Sequence, residues 1–367
     1  MRVLHVISDS NIGGAGVLLV NLLRHFDREK VESVVALPRG SRLRRRVLET
    51  KTRVVELNHP CDQLSAASVW ELLGVIRSVK PDLIHTSAAL SARLAGKLSG
   101  KKVLYTRHCT FPVEKKPLFT RLARNFWNNA LCDGAVATAR AAITDLRKTG
   151  IPRKKIAVIP NGCEPVREVM PGETELFRAK YGISEDDFCV GICARLEPCK
   201  GHDVFLRAAK IAVLSMPQIA FRFLIVGEGS RRAELEDLAK RLEICDRVVF
   251  CGFLTDPAPF YRILQIHVNC SVGTETSSLA VSEGFSAGVP TVLSDYGGNR
   301  AMLGASGAGI CVPKGDPAAL AEAICQLAGD DALRAQTAQK ARERYEQNYT
   351  AASMAKRLTA VYEKLLR

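Results

Sequence analysis

What this chain lacks narrows what it can be. Its 367 residues hold no apolar run that reaches the ~18 residues of a membrane span. The best stretch, 13–23, is short and interrupted by Asn21. The first strand-like run, Arg2–Ser8, turns polar at once and is too short for a secretory leader. Without a leader or a span, the expected address is the cytoplasm. Aromatics are few, at 6% of the chain, and do not interleave with the basic residues as nucleic-acid binders require. The twelve cysteines include no C-x-x-C pair, so paired zinc spacing is missing. Cys189, Cys193 and Cys199 alone could suggest a metal. Cysteines scattered through apolar stretches (Cys251, Cys270, Cys311 and Cys325 among them) instead suggest small, reduced core residues. No D-x-D spacing occurs, so no metal is expected to chelate a diphosphate. Short repeats and low-complexity tracts are missing too.

What is present is an ordinary globular composition long enough for two domains. The net charge is +14, and it is uneven. Residues 1–170 carry 29 Lys and Arg against 14 Asp and Glu; residues 171–367 carry 23 against 24. The first half should therefore attract an anionic partner.

Strand-like runs alternate with helical periodicity through both halves, which argues for βαβ units and parallel sheets. Expected strands are Arg2–Ser8, Glu32–Leu37, Arg53–Leu57, Leu83–Thr86, Lys102–Tyr105, Gly134–Ala137 and Ile156–Ile159. In the second half they are Phe188–Cys193, Phe221–Val226, Arg247–Phe250, Ile266–Asn269 and Thr291–Ser294. The Pro-, Gly- and charge-rich Asn161–Glu173 reads as a linker. The expected domains are thus 1–170 and 171–350, each Rossmann-like, facing a cleft that holds ligands off the strand ends. The tail, Asp331–Leu366, reads as two polar helices.

Four motifs carry candidate chemistry. Gly13-Gly14-Ala15-Gly16 opens a helix after the first strand, where backbone amides suit phosphate or carboxylate. It fails as a dinucleotide fingerprint because Leu19 occupies the third glycine position and the second strand ends without an acid. Gly227-Glu228-Gly229 fails likewise at Arg232, and either loop alone could be a tight turn. Arg195 and Lys200 leave a strand five residues apart and could converge on a pyrophosphate; alone, they could equally be a solvated loop. Ser277 can cap a helix starting near Ser278, so amides at Ser277, Ser278 and Leu279 can hold phosphate oxygens. Glu283, on that helix among apolar residues, needs a partner if buried, and a ribose diol offers two hydroxyls. Glu275 sits on the loop before it, pointing at whatever the phosphates carry; alone, the two could equally be one helix-capping acid and one surface acid. His85, after Leu83-Ile84, could line the cleft, although a lone histidine at a strand end is commonly structural, and His5 and His267 sit inside strands as core.

In this order and spacing, the chain resembles the retaining glycosyltransferases of family 4, with the GT-B fold. The elements are the N-terminal Gly-rich loop, Ile159-Pro160-Asn161-Gly162, Arg195 with Lys200-Gly201, Val226-Gly227-Glu228-Gly229, the E-x7-E pair Glu275/Glu283, and Gly297-Gly298-Asn299. The resemblance implies a nucleotide-sugar donor on the C-terminal domain. Its diphosphate would lie at Arg195 and Lys200, its ribose at Glu283 and its sugar at Glu275. A glycan or lipid-linked acceptor would bind the N-terminal domain, at Gly13, Gly14 and Gly16. His108, in Thr106-Arg107-His108-Cys109, matches the family's active-site histidine. Residues 351–367 resemble its helix returning to the N-terminal domain, and no cofactor is implied. Two departures stand out: Thr276-Ser277-Ser278 replaces a Gly-rich run, and Arg300-Ala301 replaces Pro-Glu.

Two further expectations concern partners. The run Arg39–Leu48, with Arg42, Arg44, Arg45 and Arg46, joins Lys101, Lys102, Lys115, Lys116, Arg121 and Arg124 in suggesting peripheral attachment to anionic membranes. The rivals to transfer are a nucleotide-sugar epimerase of the same fold, which needs no acceptor, a nucleic-acid binder, and a catalytically dead nucleotide-sugar sensor.

Overall fold

The structure, a computed structural model, describes residues 1–8, 13–59, 61, 64–87, 89–108 and 117–367. Cys109, Lys115 and Lys116 lie outside the described residues. The chain divides into two compact units, Met1–Cys163 with Thr350–Arg367, and Glu164–Tyr349.

The first unit is built on a seven-stranded parallel sheet. Its strands are β1 (Arg2–Ile7), β2 (Glu32–Pro38), β3 (Arg53–Leu57), β4 (Leu83–Ser87), β5 (Lys102–Arg107), β6 (Gly134–Ala137) and β7 (Ile156–Val158), in the order β3-β2-β1-β4-β5-β6-β7. Helices cover both faces, which is why the central strands read as near-continuous apolar runs. On one face Leu4, Val6, Val34 and Ala36 pack on Leu72 and Ile76 of the helix Ala66–Val79. On the other, Ile7, Val35 and Leu37 meet Leu19 and Leu23 of the helix Gly14–His25, with Leu43 and Val47. The last helix, Ala351–Leu366, is capped by Thr350, packs on Gly14–His25 and buries Tyr362.

The second unit holds six parallel strands: β8 (Phe188–Cys193), β9 (Phe221–Val226), β10 (Val248–Gly252), β11 (Ile266–Asn269), β12 (Thr291–Ser294) and β13 (Gly309–Val312), in the order β10-β9-β8-β11-β12-β13. Val190, Ile192, Phe223 and Val268 pack under Phe205 and Leu206 on one face, and Cys189, Leu224 and Val226 under Phe260 and Tyr261 on the other. Burial pushes the thiols of Cys193, Cys251 and Cys270 up to about 12, so these cysteines serve as small apolar core groups.

In each sheet the order reverses once, with β1 between β2 and β4, and β8 between β9 and β11. Open α/β sheets bind ligands outside the carboxyl ends of the strands at such a reversal.

Three local readings need correction. The passage from one unit to the next falls within Asn161–Glu173, as a linker should, but it is anchored chain: Gly162 presses on Thr350, Val166 N donates to Ser286 Oγ at 2.9 Å, and Arg167 pairs with Glu173 and Asp256. The units therefore divide after Cys163 and after Tyr349, where the sequence suggested 170 and 350. The edge strand β13 was not anticipated, because Gly-Ile-Cys-Val is short and non-alternating; its register against Thr291–Ser294 defines it. Finally, Ser278, not Ser277, caps the helix Leu279–Ser286, accepting from Val281 N.

Candidate active site

Three loops of the second unit converge off the carboxyl ends of β8, β9 and β11. The loop after β8 carries Arg195 and Lys200. It is stapled to the loop after β11, where Val272 N and Gly273 N donate to Cys199 O at 2.9 and 3.1 Å. It is stapled to the loop after β9, where Leu196 N donates to Glu228 O at 3.0 Å. Glycine makes these approaches possible. At Gly227, with φ +136°, a Cβ would stand 2.0 Å from Ala194 O; at Gly297, with φ +59°, it would stand 2.0 Å from Glu275 O. Only glycine adopts such angles at no steric cost, and only glycine leaves the room.

These loops bring together a buried ion pair. Lys200 Nζ lies 2.8 Å from Glu275 Oε2, with side chains only 18% and 7% exposed. The same oxygen accepts from Ser271 Oγ at 3.0 Å and Asn269 Nδ2 at 3.4 Å. Asn269 Nδ2 also reaches Ser278 Oγ, at 3.2 Å, joining the carboxylate to the helix cap. Arg195 is exposed and makes no side-chain hydrogen bond or ion pair among the described residues. Thr276 and Ser277 are buried beside Glu275.

Glu283 lies one and a half turns into the capped helix, as its position in the sequence suggested. Tyr261 donates its hydroxyl to Glu283 Oε2 at 2.9 Å. Burial pushes the Glu283 carboxyl up, and the Tyr261 hydrogen bond offsets part of that shift. Arg300, at the position of the second departure, is exposed and paired with Asp295 at 2.5 Å.

In the first unit, His108 follows β5 and its Nε2 lies 2.9 Å from Ser87 Oγ at the end of β4. Desolvation of the ring holds the imidazole down to about 4, so it is neutral at physiological pH. His85 is buried, with Nδ1 2.7 Å from Tyr362 Oη and Nε2 2.6 Å from Thr106 Oγ1. Histidines 5, 85 and 108 line one small cavity, walled by Leu18, Leu22 and Met354. Gly13 caps the helix Gly14–His25 without a side-chain bond, and a Cβ on Gly14 would meet nothing. Gly16 differs: its Cβ would come within 3.1 Å of Leu43, so its role is close helix packing.

Tyr261, Asn269 and Ser271 were missed in the sequence. Tyr261 looks like core in Ala-Pro-Phe-Tyr-Arg-Ile. The other two left a readable signal: the apolar strand Ile266–Asn269 ends Asn-Cys-Ser, polar groups where a parallel strand delivers its ligand end. Among the described residues, no cluster of three or more His, Cys, Asp or Glu side chains is placed to hold a metal ion.

Two family models match the chain in tandem: Glycosyltransferase Family 4 over residues 12–167 and Glycosyl transferases group 1 over 187–330. Among relatives, the 2-deoxystreptamine glucosyltransferase of Streptomyces kanamyceticus is 29% identical over 328 residues, 83% of this chain and 82% of that one. The 2-deoxystreptamine N-acetyl-D-glucosaminyltransferase of Streptomyces fradiae is 27% identical over 344 residues, 85% and 82%. Of solved structures, HepE of Anabaena in complex with UDP superposes with TM-score 0.85 at 19% identity, covering 99% of this chain and 100% of that one. A glycosyltransferase from Rickettsia africae gives 0.86 at 18% identity, covering 100% and 98%. The class is therefore that of the GT-B glycosyltransferases. Within it, the chain belongs to the family 4, group 1 glycosyl transferases.

Proposed function

We propose that this enzyme transfers a sugar, with retention of configuration, from a nucleoside-diphosphate sugar to a glycan or lipid-linked acceptor in cell-surface polysaccharide or glycolipid synthesis. The observation that carries the reading is the buried Lys200–Glu275 pair, with the exposed Arg195 on the same loop as Lys200. Cations and an acid at neighbouring strand ends can divide a sugar diphosphate between them, the cations taking the phosphates and Glu275 the sugar hydroxyls. Ser277, Ser278 and Leu279 add backbone amides, Gly227 lets the loop that carries Arg195 close on the donor site, and Glu283, steadied by Tyr261, takes the ribose. The glycosidic electrons leave on the diphosphate oxygen, where preorganised positive charge stabilises them. The acceptor oxygen bonds to the anomeric carbon on the same face and passes its proton to the departing diphosphate. His108, neutral, supports the sugar as it leaves. The acceptor would approach the Gly13–Gly14 helix start of the first unit.

With this charge arrangement the reaction needs no metal, and activity should survive EDTA; complete loss restored by Mg²⁺ or Mn²⁺ would overturn that assignment. A thermal-shift screen of UDP-, GDP-, ADP- and dTDP-sugars tests the donor. UDP-sugars come first because HepE binds UDP and UDP-glucose. A donor at 100 times its Kd stabilises by about 2.7 kcal/mol; no response to any of them would count against transfer. Product analysis with and without acceptor separates transfer from epimerisation. The basic first half further supports a cytoplasmic enzyme working peripherally at an anionic membrane. No helix among the described residues is long and apolar enough to cross one.

A further inference from the structure

The helix Leu118–Ala130 is inside out. Its inward side is polar: Asn128 Oδ1 accepts from Arg93 Nη1 at 3.1 Å, Asn128 Nδ2 donates to Thr149 O at 3.0 Å, and Asn125 packs on Gly150. Its outward side is apolar: Phe119 is 83% exposed, Phe126 65%, and Leu122 and Trp127 both 56%. At 3.6 residues per turn, Phe119, Leu122 and Phe126 share one face, with Trp127 beside them. An ordinary surface helix points its apolar stripe at the core. Four large apolar side chains grouped on one exposed helix signal an interaction surface.

The surroundings of this face are basic. Residues 117–155 hold eight Lys and Arg against two Asp and Glu, and one of those acids, Asp133, is paired with Lys97. Arg121, Arg147, Lys148, Arg153 and Lys154 are exposed. The Arg124 guanidinium donates to Lys148 O and Lys155 Nζ to Asn129 O, so the following helix and turn bring their charges against Leu118–Ala130. Aromatic and leucine side chains ringed by cations suit the headgroup boundary of an anionic bilayer. The arginine run at 42–46 is built otherwise. Leu43 and Val47 are fully buried, while Arg44 and Arg45 are paired with Glu56 and Glu49.

We propose that Leu118–Ala130 is the membrane-docking element, inserting Phe119, Leu122, Phe126 and Trp127 among acyl chains while the neighbouring cations engage anionic headgroups. The inference rests on the membrane reading above and assigns it to one helix.

The chain contains two tryptophans, Trp70 and Trp127. In the full-length Trp70→Phe protein, vesicles containing phosphatidylglycerol should blue-shift Trp127 emission, and brominated acyl chains should quench it. Neutral vesicles should do neither. Replacing Phe119, Phe126 and Trp127 with Ser should lower co-sedimentation by about tenfold or more. These side chains are exposed, so an unchanged melting temperature certifies the fold. Arg121→Gln with Lys148→Gln should weaken binding less and flatten its salt dependence. If the parent protein ignores anionic vesicles, the membrane reading itself fails. If it binds and the serine variant binds equally, while Gln at 42 and 44–46 abolishes binding, only the assignment to this helix fails. Failure of vesicle binding together with aromatic-dependent self-association in sedimentation velocity would assign the face to a second copy of the chain, against the proposal.

Discussion

Lys200 and Glu275 were expected to act on separate parts of the donor, and in the folded chain they hold each other at 2.8 Å. Removing either does two things. Lys200→Ala withdraws a charge from the departing diphosphate, and loss of one such contact raises the barrier by about 2.7–4 kcal/mol, or 10²–10³-fold in turnover. It also leaves Glu275 buried without its cation. Breaking a buried pair costs about 3–5 kcal/mol, with the low end fitting a lysine that is still 18% exposed. The double variant Lys200→Ala/Glu275→Gln should regain most of the stability and none of the activity, read by urea unfolding and product formation. Full turnover in the single variant would refute the diphosphate role. Glu283 behaves differently because burial raises its pKa. A raised carboxyl favours the fold below its unfolded pKa, and that contribution disappears as pH rises through the folded value. At pH 7 the buried carboxyl is therefore a cost, and Glu283→Gln should melt higher than the parent. The same change should weaken free nucleotide binding about tenfold or more, since hydrogen bonds to charged groups contribute about 1.5–3 kcal/mol. Calorimetry showing parental affinity would remove Glu283 from the ribose.

At the scale of elements, the loops after β8, β9 and β11 act as one construction, because each is backed by the carbonyls of another. Gly227→Ala would drive a Cβ into Ala194 O at a φ of +136°. The expected outcome is a melting temperature lower by several degrees and a larger loss of donor affinity, since the displaced backbone carries Arg195. Gly14→Ala is the contrast. It starts a helix and its Cβ meets nothing, so stability should hold or rise by about 0.5–1 kcal/mol. If turnover drops while the melting temperature does not, a ligand passes close to that backbone. The sequence motif treats Gly14 and Gly16 alike; the structure separates them, because Leu43 arrives from a helix some thirty residues away.

The whole molecule carries several histidines buried in neutral form. Burial holds His5 and His267 down to about 3 and His202 down to about 4. In the unfolded chain each takes up a proton near 6.5. Their contribution is complete above about pH 6.5 and is lost as pH falls toward the folded values of about 3 to 4, because over that range the unfolded state binds more protons. Each adds up to about 1.4 kcal/mol per pH unit to that slope. Unfolding midpoints in urea should therefore drop steeply between pH 6.5 and 4.5; a flat profile would mean that these rings charge within the fold.

Much of this enzyme is legible in one dimension. Apolar runs of four to seven residues spaced by helical periodicity specify parallel sheets, since a strand covered on both faces has no polar side to display. Glycines, cations and acids in fixed order mark the three converging loops for the same reason: close backbone approach and charge can be met by few residue types. Tertiary structure alone decided the rest. It paired Lys200 with Glu275 across 75 positions, set Tyr261 under Glu283, ran one cavity past two strand histidines and the one that follows β5, and turned the aromatic side of Leu118–Ala130 outward. Periodicity states that a helix has an apolar side. Which side faces the protein depends on where its polar groups find partners, and for Asn128 those partners are Arg93, on another helix, and Thr149, at the end of a third.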